Sequence, residues 1–291
     1  MAADTGHDEF GGLHRDLAAT GAAMGRRRWL RLAANYTTAA GALTLFGCGD
    51  TATSPGGVSA AAATSTDATA STGATTGASG STTCALVPNE TAGPFPGDGS
   101  NGPNVLTTSG VVRSDIRSSF GGLSGTADGV PLTIVLTIVS SSTCAPLAGR
   151  AVYVWHCDRP GRYSLYSAGV TNQNYLRGIQ QADANGIVTF TSIFPGCYAG
   201  RWPHIHFEVY PTLASASQVS NRIATSQIAL PKAACDQVYA TSGYEASISN
   251  LAQISLASDN VFSDGAALEL ATMSGTVSGG LTATLTVAVP S

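Results

Sequence analysis

Two histidines and two tyrosines hold the chemistry legible in this chain. His204 and His206 stand at i and i+2 in Arg201-Trp202-Pro203-His204-Ile205-His206-Phe207-Glu208-Val209. Alternate side chains of an extended run share a face, so both imidazoles point the same way. Tyr198 lies six positions before His204, in Phe194-Pro195-Gly196-Cys197-Tyr198, and Tyr163 follows the turn Asp158-Arg159-Pro160-Gly161. Two phenolates and two imidazoles suit ferric iron: the phenolate charge favours Fe(III) over Fe(II), and four protein donors leave room for an exogenous ligand. A His-x-His pair alone is more often structural than metal-binding, and it also occurs in zinc, copper and Fe(II) sites that recruit a carboxylate or a third histidine. Beyond residue 48 only His156 remains for that third place. Its Trp155-His156-Cys157-Asp158 context reads as the end of a strand, so the donor count favours the tyrosinate set.

The elements that must position these donors read as strands. Apolar and β-branched residues are dense over 130–139, and alternation runs through 150–156, 186–193, 204–210 and 281–289. Asp128-Gly129, Asn185-Gly186 and Pro195-Gly196 separate them as turns. Helical periodicity is weak and confined to 214–225 and 246–257. The pattern predicts an all-β chain folded as a two-sheet antiparallel sandwich.

Composition divides the chain into three parts. Arg26-Arg27-Arg28-Trp29-Leu30-Arg31 fits a twin-arginine export signal, and a weakly apolar stretch after it ends at Leu45-Phe46-Gly47-Cys48, a lipobox-like tetrapeptide that would make Cys48 a lipidated mature N-terminus. An ordinary signal peptide cleaved nearby is the alternative; a retained membrane span is disfavoured by the short, polar run. Residues 49–83 are almost entirely Ala, Thr, Ser and Gly, too poor in large apolar groups to build a core, and read as a flexible tether. Residues 84–291 suffice for one sizeable catalytic domain. The expected location is therefore extracytoplasmic, tethered to the cell envelope through Cys48 or secreted.

From Cys48 onward nine Lys and Arg face 14 Asp and Glu, a formal charge of −5 that argues against nucleic acid or anionic lipid as partner. Five cysteines follow Cys48: Cys84, Cys144, Cys157, Cys197 and Cys235. None has zinc-site spacing, and an oxidising compartment allows them at most two disulfides of unassigned connectivity, with Cys197 read as a half-cystine bracing the Tyr198 loop.

In order and spacing, several segments resemble the intradiol ring-cleavage dioxygenases, the catechol and protocatechuate dioxygenases, and among them the extracytoplasmic members. These are Val152-Tyr153-Val154-Trp155-His156-Cys157-Asp158, Gly161-Arg162-Tyr163-Ser164, Tyr175-Leu176-Arg177-Gly178, Asp183-Ala184-Asn185-Gly186, Ile193-Phe194-Pro195-Gly196-Cys197-Tyr198 and the His204 segment. Glu90-Thr91-Ala92-Gly93-Pro94-Phe95 is similar to the family's entrance segment, and Arg113-Ser114-Asp115-Ile116-Arg117 to the segment before its first core strand. The likeness covers 84–244, with nothing matched beyond. It implies Fe(III) held by Tyr163, Tyr198, His204 and His206, a catechol-type substrate, O2, and cleavage between the hydroxyl-bearing carbons to a cis,cis-muconate-type product. Tyr198 would yield its place to the substrate and help accept a proton, Arg201 would stabilise negative charge on the activated ring, and Gln227 would support it from behind. Tyr166 and Tyr175 read as pocket lining or core. The Tyr198–His204 connection is shorter than in the cytoplasmic enzymes, which implies a more open pocket and a broader range of catechols. A non-catalytic β-sandwich binding module is the alternative function.

Overall fold

Leu132, Ile134, Leu136 and Ile138 alternate with Thr133, Val135 and Thr137. In the structure, a computed structural model that describes residues 83–291, this run is β1 (Pro131–Ser140), with all four aliphatics buried. β4 (Ile187–Ile193) pairs antiparallel on one side of β1, β8 (Gly280–Val289) pairs parallel on the other, and β7 (Thr272–Thr276) closes the sheet beside β8. The second sheet has the order β3 (Arg177–Gln181), β2 (Ala151–Trp155), β5 (His204–Tyr210), β6 (Ala224–Ala229) and is antiparallel throughout. The facing sides meet in one apolar core in which the β1 aliphatics and Phe190 oppose Val152, Val154, Ile205, Phe207 and Val209. Each such side chain removed from water contributes about 1.5–3 kcal/mol.

The expected all-β two-sheet sandwich is thus formed, with one correction: it is not antiparallel throughout. β1 and β8 run parallel, from Leu132 beside Leu281 to Ser140 beside Val289. No hairpin joins them. The chain crosses to the other sheet and through α1 (Lys232–Tyr239) and α2 (Glu245–Leu251) before returning, and so long a connection leaves the direction of pairing free.

β5 explains why the second sheet can hold a site. All seven of its residues are buried: Ile205, Phe207 and Val209 enter the inter-sheet core, while His204, His206, Glu208 and Tyr210 occupy the opposite face. That face is covered by a second apolar cluster in which Val105, Leu106, Val111 and Phe120 from the N-terminal segment lie over Tyr153, Trp155, Ile179 and Tyr163. The polar face of a central strand is therefore enclosed rather than bathed in solvent.

Other expectations need correction. The weak helical periodicity over 214–225 becomes two separate 3₁₀ turns, Ser215–Ser217 and Val219–Asn221, and Ala224 already opens β6. Here Ser215 Oγ donates to Thr212 O and Asn221 Nδ2 to Ser215 O, local bonds that compete with a helix. The second helical stretch forms as α2 but ends at Leu251. Among the described residues there is one disulfide, Cys84–Cys144, and Cys157, Cys197 and Cys235 are buried free thiols. Cys197 is therefore not a half-cystine. Its Sγ lies 3.5 Å from the Arg201 carbonyl, that of Cys157 3.4 Å from the Gly196 carbonyl, and that of Cys235 3.8 Å from the Leu230 carbonyl, each turned to a backbone acceptor. The leader over 1–48 with Cys48, and the linker up to residue 82, lie outside the described residues.

Candidate active site

The loop bearing Tyr163 is built by a tight turn. Asp158 accepts the N–H of Gly161 at its carbonyl, and its side chain accepts the N–H of Arg162 and the guanidinium of Arg162. Gly161 has φ +89°, which favours glycine, and a Cβ there would come within 3.1 Å of Tyr198 Cβ. The turn that delivers one tyrosine thus rests on the backbone of the other.

Four donor atoms converge at the end of β5. Tyr163 Oη lies 3.3 Å from His204 Nε2 and 3.2 Å from His206 Nε2, Tyr198 Oη lies 3.3 Å from His204 Nε2, and the two Nε2 atoms are 3.0 Å apart. His204 Nδ1 donates to the Trp202 carbonyl at 2.5 Å, so its Nε2 presents a lone pair to the cluster. Among the described residues His206 Nδ1 has no hydrogen-bond partner; its ring is oriented instead by face-to-face stacking on Trp155, with centroids 4.8 Å apart. Tyr163, His204 and His206 are buried, and Tyr198 is half-buried.

The electrostatics of the protein alone favour neutral groups. Burial, and then the neighbouring Tyr198, push the Tyr163 phenol well above its ordinary pKa. Burial and the Arg201 charge bring His204 down to about 3, and burial and His204 hold His206 well below its usual value. Neutral imidazoles are the ligand form, whereas the phenols need a cation to lose their protons; a bound metal ion supplies that and inverts the local balance. Among the described residues no group of three or more His, Cys, Asp or Glu is placed to hold a metal. The donor set here is two imidazoles and two phenols, with lone pairs converging and no carboxylate among them. It fits a hard trivalent ion of the ferric kind.

Arg201 and Gln227, singled out in the sequence, stand beside this cluster. Gln227 lies on β6 directly across from His206, and its Oε1 accepts from Arg201 Nη2 at 2.6 Å. Its amide donates to Thr91 O at 2.9 Å, tying the entrance segment to the site. His156 is not in the cluster: it is buried between the Cys157 carbonyl and Ser192 Oγ, both at 2.7 Å. Tyr166 packs on Phe95, which in turn packs on Tyr163, and Tyr175 is buried with its hydroxyl on Asp158.

The family model for the Dioxygenase domain matches residues 118–204. The solved structure of an intradiol ring-cleavage dioxygenase from Tetranychus urticae superposes with a TM-score of 0.57 at 25% identity, covering 71% of this chain and 95% of that one. In its matched segment and its fold the chain is similar to the intradiol ring-cleavage dioxygenases. The dioxygenase domain of a carbohydrate-binding fusion protein from Streptomyces sp. SirexAA-E is more distant, at 21% identity and a TM-score of 0.44 over 71% of this chain and 99% of that one. No curated protein matches the sequence.

Two further residues of this chain matter to the site and were given no role from the sequence. Arg177, fully buried at the start of β3, donates to the carbonyls of Phe95, Pro96 and Ser164, to Ser164 Oγ and to Tyr153 Oη, fastening both the entrance segment and the Tyr163 loop to the sheet. Asp259, beyond the stretch of family likeness, pairs with Arg201 at 3.0 Å. Arg177 sits inside a recognised motif, but its partners are up to 82 residues away. Nothing local in the sequence marks Asp259.

Proposed function

We propose that this chain is an intradiol dioxygenase that binds Fe(III) through Tyr163, Tyr198, His204 and His206 and cleaves catechol-type substrates with O2 between the two hydroxyl-bearing carbons, giving a cis,cis-muconate-type diacid. The observation that carries this reading is the convergence of two phenol oxygens and two imidazole Nε2 atoms within 3.0–3.3 Å of one another, with a buried arginine beside them. When bound there, Fe(III) supplies the Lewis acidity and covalency that ready a chelated catechol ring for O2.

The chain's own groups divide the remaining work. Tyr163 is buried, touches both imidazoles, and donates its backbone N–H to Ser167 Oγ, so it is held in place. Tyr198 contacts one imidazole and is half-buried, which makes its Oη the atom to take a proton from the incoming catechol hydroxyl. Arg201 faces the negative charge that grows on the opening ring, and Gln227 keeps one of its nitrogens engaged. Trp155 and Phe95 cover the His206 and Tyr163 rings and exclude water.

The short Tyr198–His204 connection, with Gly200 exposed at its tip, supports a pocket open to substituted catechols. Both buried guanidinium groups near the site are already engaged, Arg177 by backbone and hydroxyl oxygens and Arg201 by Asp259 and Gln227, which favours neutral catechols over carboxylated ones. The Cys84–Cys144 bridge supports an extracytoplasmic setting. Turnover of catechol, 4-methylcatechol and protocatechuate under ¹⁸O2 tests the reading: a ring-opened diacid carrying both labelled atoms, formed fastest from the neutral catechols, is expected. Consumption of no catechol by the iron-loaded protein contradicts it.

A further inference from the structure

Asp259 lies 58 positions after Arg201, outside the matched family region, and is fully buried. Its four lone-pair directions are used at close range. Oδ2 accepts Arg201 Nε at 3.0 Å and the Trp202 backbone N–H at 2.7 Å, while Oδ1 accepts the N–H groups of Val261 and Phe262 at 2.8 and 3.2 Å. One carboxylate thereby joins the residues just before the histidine strand to the 3₁₀ turn Phe262–Asp264. The Phe262 ring of that turn stands edge-on to His204, with centroids 6.4 Å apart.

The consequence for Arg201 is geometric. Nε is fixed by Asp259 and Nη2 by Gln227, so two edges of a planar fork are held, and among the described residues Nη1 alone has no partner. Burial opposes the charge on both groups. For Arg201 the neighbouring Tyr198 and Asp259 more than offset it, and for Asp259 the Arg201 charge and the Trp202 N–H do so. The pair is ionised and neutral in sum, and the guanidinium offers a direction rather than a net charge.

We propose that Asp259 is a positioning residue for ring cleavage: it fixes the plane of the Arg201 guanidinium so that Nη1 donates toward the negative charge developing on the bound catechol, and it sets Phe262 as a wall beside His204. The proposal rests on the dioxygenase reading above. It assigns a role in turnover to a segment that a purely architectural function would leave indifferent to kcat.

The test is a double-mutant cycle on the iron-loaded full chain, comparing wild type, Asp259→Asn, Arg201→Gln and the double variant. The readouts are kcat and KM for catechol, anaerobic Kd for 4-nitrocatechol from its visible band, and the melting temperature. Asp259→Asn is expected to lower kcat roughly 10- to 100-fold, the scale on which a misplaced catalytic group acts. KM and the 4-nitrocatechol Kd should move less than about threefold, since the effect lies in the transition state. Adding Asp259→Asn to Arg201→Gln should change kcat less than about twofold, because a residue that acts through Arg201 has nothing left to position. Independent, multiplying losses overturn the proposal, as does a kcat within about twofold of wild type in Asp259→Asn. Should Asp259→Asn fail to fold, Arg201→Gln against the double variant, in which no buried charge of the pair is left unpaired, still decides: equal kcat values support the role of Asp259, and a further loss overturns it. A wild type that neither binds 4-nitrocatechol nor cleaves catechol overturns the dioxygenase reading and this proposal together; a competent wild type with an indifferent Asp259→Asn overturns the role of Asp259 alone.

Discussion

The two tyrosines of the site are chemically alike and differently placed. Tyr163 is buried against both imidazoles, whereas Tyr198 is half-buried and meets one. Tyr163→Phe should therefore weaken iron retention at least about tenfold in competition with a chelator, with Tyr198→Phe losing less iron but more turnover. Elemental analysis alongside oxygen uptake separates the two. A different titration acts on stability. Burial first, offset in part by the Cys157 carbonyl, lowers His156 from 6.5 to about 4. The fold prefers the neutral ring, so its contribution is complete above about pH 6.5 and is lost as the pH falls toward 4, roughly 3 kcal/mol in all. Urea midpoints measured at pH 7, 5.5 and 4.5 should show this loss, and His156→Asn should flatten it. The four side chains that converge could be singled out in the sequence because each sits in a short motif: a turn before Tyr163, Pro195-Gly196 before Tyr198, and an alternating strand for the histidines. Asp259 was not, because its meaning lies in a contact made 58 residues away.

At the level of elements, strands whose apolar and polar residues alternate were readable, and those without that period were not. β1, β4, β5 and β8 announce themselves by period. β6 (Ala-Thr-Ser-Gln-Ile-Ala) has no polar-out signal because Thr225 and Gln227 point into the enclosed site face. β3 begins with Arg177, which is fully buried and satisfies carbonyls of two loops. α1 spans only two turns after Pro231, too short for its periodicity to stand out. The structure of β3 carries its own prediction. Arg177→Met strands several buried acceptors and should cost about 3 kcal/mol or more in a denaturation experiment, with the entrance segment becoming open to limited proteolysis near Pro94–Asn104. Unchanged stability would show that the staple is redundant.

For the molecule as a whole, the fold class was legible and its central pairing was not: the parallel β1–β8 contact depends on where a long return path re-enters the sheet. The same holds for the cysteines, whose number was plain and whose pairing required the structure. Cys84–Cys144 closes a 60-residue separation and fastens the start of the domain to the turn after β1. Replacing both by Ser should lower stability by about 2–4 kcal/mol while leaving catechol turnover at low temperature unchanged, since the bridge is remote from the donor cluster. These parts serve one purpose, which is to hold two phenols and two imidazoles, with Arg201 beside them, in an enclosed face of a rigid sheet. The visible spectrum of the iron-loaded protein tests that claim most directly, recorded without oxygen, then with catechol, then with air admitted. The account predicts a tyrosinate-to-iron charge-transfer band that shifts when catechol binds and decays on aeration as a muconate-type product appears. A fully iron-loaded protein that is colourless and indifferent to catechol would contradict it.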